Sequence, residues 1–260
     1  MKKYLFILWV LAAAVAPAIS QEKIDQRRPA SDNAAVAIEN IAGKVIVSGW
    51  SREEVEITGT LGGGADGLEV TGDRDHVHVK VKYPNDNGPR RDIGDTILSL
   101  HVPQGAKLKV ETVSALIDVS DFEGETELQS VSGTVHLTGS PKTADLTTVS
   151  GSISVDSKAR LDEGAFKTVS GSIEVSAELS PQGRFKFGTV SGDVTLNVPR
   201  GASADVEASS FSGRIENDFG ETPKKTNPYL PSSELRFQIG GGGARVTLQT
   251  LSGRIRIAQQ

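Results

Sequence analysis

The chain contains no cysteine and one methionine, and aromatic residues make up only 5% of it. Without thiols it has no disulfide framework and no thiolate metal site, so stability must come from burial and backbone hydrogen bonding. Lipidation at a new N-terminal cysteine is excluded on the same ground. Past residue 20 no apolar run approaches the roughly 20 residues that a spanning helix needs. A long basic run is missing too, and the formal net charge is −5. Such a chain is a poor partner for nucleic acid. Helical periodicity is absent after the first twenty residues.

Those first twenty residues carry Lys2 and Lys3, an apolar run from Tyr4 to Val15, and the small-residue patterns Ala16-Pro17-Ala18 and Ala18-Ile19-Ser20. That order reads as a secretory signal peptide, residues 1–20, cut after Ser20, with Ala18 as the rival site. The mature chain is expected outside the cytoplasm, in the periplasm or at the cell surface. Its 28 glycines, set among Val, Ile, Thr and Ser, favour strands and tight turns.

The strongest signal is a repeat. Seven segments share one pattern, beginning at Val113-Ser114-Ala115, Val131-Ser132-Gly133, Val149-Ser150-Gly151, Val169-Ser170-Gly171, Val190-Ser191-Gly192, Phe211-Ser212-Gly213 and Leu251-Ser252-Gly253. Successive serines are 18, 18, 20, 21, 21 and 40 residues apart. The last gap is two periods, so a degenerate copy is expected near Ser232-Ser233. Apolar residues recur four before each serine, as Val110, Leu128, Leu146, Phe166, Phe187, Ala208 and Leu248. Others recur three after it, as Ile117, Val135, Ile153, Ile173, Val194, Ile215 and Ile255. Two before each serine stands a hydroxyl: Thr112, Ser130, Thr148, Thr168, Thr189, Ser210 or Thr250.

One such unit cannot bury a face alone, whereas stacked copies can. The pattern predicts an all-β protein: a β-solenoid of coils of about 20 residues, with neighbouring strands about 4.8 Å apart. The apolar positions change parity at the serine, so the chain must bend there. Glycine after the serine suggests a corner with positive φ, at Gly151 and Gly171 for example. The hydroxyl column fits side chains that satisfy corner backbone groups.

Residues 21–34 read as a polar lead-in and 35–258 as one domain, irregular over 35–105 and regular over 106–258. Ala42-Gly43 stands in a looser first copy, and the irregular part is expected to cap the stack. Two long loops interrupt the pattern, one from Tyr83 to Asp95 and one from Asn217 to Ser233. The second offers Lys224, Lys225 and Tyr229, a pair of cations and an aromatic suited to a partner.

The repeat ladder, the opening Gly43-Lys44-Val45-Ile46-Val47-Ser48-Gly49-Trp50 and the closing Gly240-Gly241-Gly242-Gly243-Ala244-Arg245-Val246 resemble a bacterial family of exported β-solenoids catalogued as putative adhesins. The likeness runs over about residues 35 to 258. It implies a right-handed or flattened solenoid in the cell envelope, and brings no functional residues with it.

Catalytic chemistry finds little support in the residues. Seven equivalent serines with no recurring histidine are not nucleophiles, because an activated serine needs a neighbouring base. His76 and His78 share a strand face but lack a third ligand beyond Asp73 or Asp75. Asn85-Asp86-Asn87-Gly88 is a faint calcium-loop likeness. The column after the buried Ile or Val reads Asp118, His136, Ser154, Glu174, Thr195, Glu216, Arg256, a solvated mixture rather than a carboxylate cluster. The expectation is a non-catalytic envelope protein, an adhesin or binding scaffold, without cofactor or metal, whose partner is an envelope glycan or protein. A periplasmic accessory or sensor protein binding through its loops is the alternative. A polysaccharide-active β-helix enzyme ranks third.

Overall fold

The computed structural model describes residues 23–84, 93–227 and 229–260. The expected signal peptide and the calcium-loop likeness lie outside these residues. Among the described residues there are nineteen strands in one hydrogen-bonded sheet, and no helix. The first six are β1 (Lys23–Pro29), β2 (Ala35–Trp50), β3 (Glu54–Thr60), β4 (Gly67–Gly72), β5 (His76–Lys82) and β6 (Thr96–Pro103). The repeat region begins with β7 (Lys107–Phe122), β8 (Glu125–Ser130), β9 (Val135–Gly139), β10 (Thr143–Thr148), β11 (Ile153–Thr168) and β12 (Ile173–Ser191). It ends with β13 (Val194–Val198), β14 (Ala204–Ser210), β15 (Arg214–Asn217), β16 (Lys224–Lys225), β17 (Ser233–Ile239), β18 (Ala244–Ser252) and β19 (Arg254–Gln259).

Repeats pair in parallel and in register, which gives the all-β architecture its solenoid-like character. Before the corner the column runs Val110, Leu128, Leu146, Phe166, Phe187, Leu248, Ala208. After the corner it runs Ile117, Val135, Ile153, Ile173, Val194, Ile255, Ile215. All fourteen side chains are buried in one continuous core. Each of them but Ala208 contributes roughly 1.5–3 kcal/mol relative to exposure. Phe166 and Phe187 add a ring contact, with centroids 5.0 Å apart.

Both columns place the last repeat in sequence between the fifth and the sixth. β18 lies between β12 and β14, and β19 between β13 and β15. The 40-residue gap therefore holds no further coil, contrary to the expectation of a degenerate copy. The chain must reverse to reach the inner slot, and β17 does so, running antiparallel along the outer edge of β14 with Ala208 opposite Leu235.

Glycine's part in the corner also differs from the sequence expectation. Gly151 and Gly171 do not have positive φ. What their corner forbids is a Cβ: at Gly151 it would lie 1.9 Å from the Gly133 carbonyl oxygen, and at Gly171 1.8 Å from that of Gly151. The same close approach links Gly192 to Gly171, Gly253 to Gly192 and Gly213 to Gly253. Successive coils thus touch backbone to backbone at the bend, and this closeness selects glycine. The hydroxyl column serves the same corner. Ser130 Oγ accepts from Gly133 N–H at 2.9 Å and Thr148 Oγ1 from Gly151 N–H at 3.2 Å, while Thr168 Oγ1 donates to the Gly151 carbonyl at 3.1 Å.

Toward the N-terminus the pairing changes sign. β1, β3 and β6 are antiparallel neighbours, as are β4 and β5, while β2 joins them to β7 in parallel register, with Ala42 opposite Ser114 and Gly43 opposite Ala115. Residues 23–29 of the expected lead-in are not a tether but β1. Ile24 is buried there and Arg27 is ion-paired with Glu56, which pins the segment to the edge of β3.

Candidate functional site

At each corner the residues four and two before the serine are buried, and the one three after it is buried again. The one five after it is buried too, except Asn217 in the sixth copy. The parity switch leaves two consecutive residues facing out, the serine and the apolar residue before it. Stacking turns them into two surface rows. One is hydroxyl: Ser114, Ser132, Ser150, Ser170, Ser191, Ser252, Ser212. The other is apolar: Val113, Val131, Val149, Val169, Val190, Leu251, Phe211, each 43–51% exposed. Backbone hydrogen bonds carry the stack across the bend, from Ser132 N–H to Val113 O at 2.7 Å and from Ser150 N–H to Val131 O at 2.8 Å. In the sequence the valines read only as a repeat marker. Their parity, opposite to that of the buried residues before the serine, was the signal that they face solvent.

Both ends of the apolar row open into concave surface. At one end a groove of about 860 Å³ is lined by Val190, Leu251 and Phe211 on its apolar side. Lys167, Lys186, Glu207, Gln249 and a set of Ser and Thr hydroxyls complete it, and Thr226, Ser232, Ser233 and Glu234 of the long loop form the far wall. At the other end a groove of about 720 Å³ lies between Ile41 and Val113 and the wall of Asp66, Lys82 and Tyr83, with Glu39, Lys80 and Glu111 in its lining.

The long loop is partly fastened. Asn217 Oδ1 accepts from the N–H groups of Phe219 and Glu221, at 3.0 and 3.2 Å, and its Nδ2 donates to the Glu221 carbonyl at 2.7 Å. Lys224 and Lys225 form β16, paired with Glu234 and Ser233 of β17, and both are exposed. Tyr229 stands at the tip, 94% exposed. The loop therefore brings Thr226 and the two serines to the groove and holds Lys224, Lys225 and Tyr229 outside its lining.

Several titratable groups of the N-terminal part are paired. His78 Nε2 lies 2.8 Å and Lys80 Nζ 2.6 Å from the Glu39 carboxylate. Hydrogen bonding from Lys80, then from His78, holds the Glu39 carboxyl below its ordinary range, against partial burial. His76 lies 3.5 Å from Asp73, whose pKa is lowered by the N–H groups of Asp75 and His76. The two strand histidines thus turn to different carboxylates. His101 stacks on Trp50 at 5.0 Å and faces Glu56 at 3.4 Å. Among the described residues no group of three or more His, Cys, Asp or Glu is placed to hold a metal ion.

This surface belongs to a recognisable kind of repeat protein. Residues 94–258, more than half of the chain, match the family model described as Toastrack DUF4097. The chain belongs to this family. No curated protein matches the chain. Crystal structures to which the Toastrack chain is similar include the following three. A putative adhesin from Bacteroides fragilis is 11% identical over 92% of this chain and 98% of that one, with a TM-score of 0.48. A putative adhesin from Parabacteroides merdae is 10% identical over 92% and 96%, at 0.44. A putative cell adhesion protein from Clostridium sporogenes is 10% identical over 92% and 100%, at 0.39.

Proposed function

We propose that this Toastrack protein is an exported, non-catalytic binding module of the cell envelope, adhesin-like, that takes its ligand in the groove between the apolar corner row and the long loop. One observation carries the reading: a concave surface in which stacked hydroxyls, an apolar wall and the cations Lys167 and Lys186 converge under an inserted loop. Long loops set on a rigid scaffold are where recognition residues concentrate. Lys224, Lys225 and Tyr229 form the outer rim in this reading, where an aromatic and two donors suit an acidic envelope glycan. The signal peptide is removed after Ser20. The mature chain is one domain, a stack of parallel coils over 106–258 capped by the irregular part over 35–105.

Replacing residues 221–231 by a short Gly-Ser linker tests this. The melt is expected to shift little, because the segment has few apolar contacts with the core, while binding to an envelope glycan array is lost. Unchanged binding would overturn the reading, and turnover of any bound glycan would overturn its non-catalytic part.

A further inference from the structure

Single exposed apolar side chains are ordinary, but a contiguous row of them is not. Ile41, Val113, Val131, Val149, Val169 and Val190 follow one another on six neighbouring coils, Ile41 being set beside Val113 by the pairing of Asn40 with Thr112 and Ala42 with Ser114. At about 4.8 Å per step this part of the row, short of Leu251 and Phe211 in the groove, is roughly 24 Å long. The five valines are 43–46% exposed, Ile41 less so, and residues at that spacing are matched by a second row of the same spacing whose side chains interdigitate with them. A second copy of this chain supplies one.

The flanks say which way round it lies. Along one side runs the uncharged serine row. On the other, two residues before each member of the apolar row, stand Glu39, Glu111, Gln129, Thr147, Lys167 and Gly188. The carboxylates stand at one end, Glu39 already paired with Lys80 and His78 and the half-exposed Glu111 with Lys109, a pair that a second copy would have to share. Lys167 stands at the other, exposed and with no ion-pair partner among the described residues. A two-fold axis crossing the row between Val131 and Val149 sets this flank against the same flank reversed. Glu111 then faces Lys167 of the second copy, twice. A parallel arrangement would set Lys167 against serines. Six coils by three rows give about 18 residues a side, near the low end of the roughly 20–30 that a standard interface uses. The long loop's groove stands at one end of the row and the wall of Asp66, Lys82 and Tyr83 at the other, and neither lining includes Val131 or Val149.

We propose that the chain forms a weak antiparallel homodimer through this row, with Glu111 and Lys167 as reciprocal ion pairs. The proposal does not rest on the ligand reading, but Lys167 and Val190 also line that groove, so Val149 and Glu111, which do not, carry the discriminating variants. Sedimentation equilibrium of the exported chain is expected to show a concentration-dependent dimer. Val149→Lys should abolish it at unchanged melting temperature, and the milder pair Val131→Thr with Val149→Thr should weaken it if the lysine variant folds poorly. Glu111→Lys or Lys167→Glu alone should raise the dimer Kd about tenfold or more, and the two together should restore it. A chain that stays monomeric at millimolar concentration, or a dimer indifferent to the Val149 changes, overturns the proposal. So does a double swap as weak as either single change, because the pairing would then not exist. A monomer whose valine row instead binds lipid vesicles or glycan overturns it as well.

Discussion

At the scale of single residues, the corner glycines show that one residue type can be selected for two different reasons. Gly43 sits at φ 107°, a conformation that favours glycine, and a Cβ there would also lie 2.1 Å from the Thr96 carbonyl oxygen. Gly151 has no such backbone, yet a methyl group there would lie 1.9 Å from a carbonyl oxygen of the adjacent coil. Neither backbone can give way without breaking the ladder, so relief would have to come from separating two coils. Gly188, two residues before the same corner pattern in a later coil, has open space where its Cβ would be and no positive φ. The two sites separate cleanly in experiment. Gly151→Ala is expected to destabilise by more than about 2 kcal/mol, as overpacking of a tight site does. Gly188→Ala should be neutral or stabilising by about 0.5–1 kcal/mol, because alanine loses less conformational freedom on folding. Urea melts of the two variants check this, and equal losses would mean that the close approach is not what selects glycine. Sequence alone pointed to glycine at every corner but the first, where Ala115 stands, and not to the reason, since a strained dihedral and a close contact leave the same letter.

Between elements, the repeat strands were legible and the edge strands were not, for a physical reason. A parallel column buries the same position in every coil, so its periodicity is written into the chain: Leu128, Leu146 and Phe166 recur because they stack. β1 and β17 pair antiparallel with strands far away in sequence, and nothing repeats to announce them. β1 was hidden further by its composition, since Lys23, Arg27 and Arg28 mark an edge strand as readily as a solvated tail. The groove was only partly legible, because its loop could be seen as an interruption while the coil that it faces depends on the insertion of β18. Where the N-terminal part joins the repeats, β2 and β5 are tied by Glu39, which pairs with Lys80 and His78 across the strands. Because the Glu39 pKa is lowered in the folded state, its contribution is present above the ordinary carboxylate range. It is lost as pH falls through the lowered value. Glu39→Gln should therefore cost a partly exposed pair's worth, about 0.2–1 kcal/mol, at neutral pH. The gap between variant and wild type should close in acid, and thermal melts across pH would expose a gap that persists there.

For the whole molecule, the order of coils in space decides how it comes apart. A linear solenoid is a sum of nearest-neighbour contacts, and removing its last repeat shortens it by one coil. Here the last repeat in sequence is an inner one. β18 supplies the partner of β14 on one side and of β12 on the other, while β19 does the same for β15 and β13. Deleting residues 240–260 therefore leaves β14, β15 and β17 without the strands that join them to the stack. The buried Ala204, Val206 and Ala208 lose their neighbours Ala244, Val246 and Leu248. Nothing in the remaining sequence can refill the slot in register, because Phe187 would have to meet Ala208 across a gap that Leu248 had filled. The coils from β7 to β13 keep all their mutual pairings. The truncated chain is expected to retain a folded core ending near Val198, with residues 204–239 open to protease. The full chain should resist over the whole repeat region. Limited proteolysis followed by intact-mass measurement reads the difference directly. Protection of residues 204–239 in the truncated chain would mean that the outer coil docks on β12 and β13 unaided, and that the inserted repeat is a later addition to a stack already closed without it.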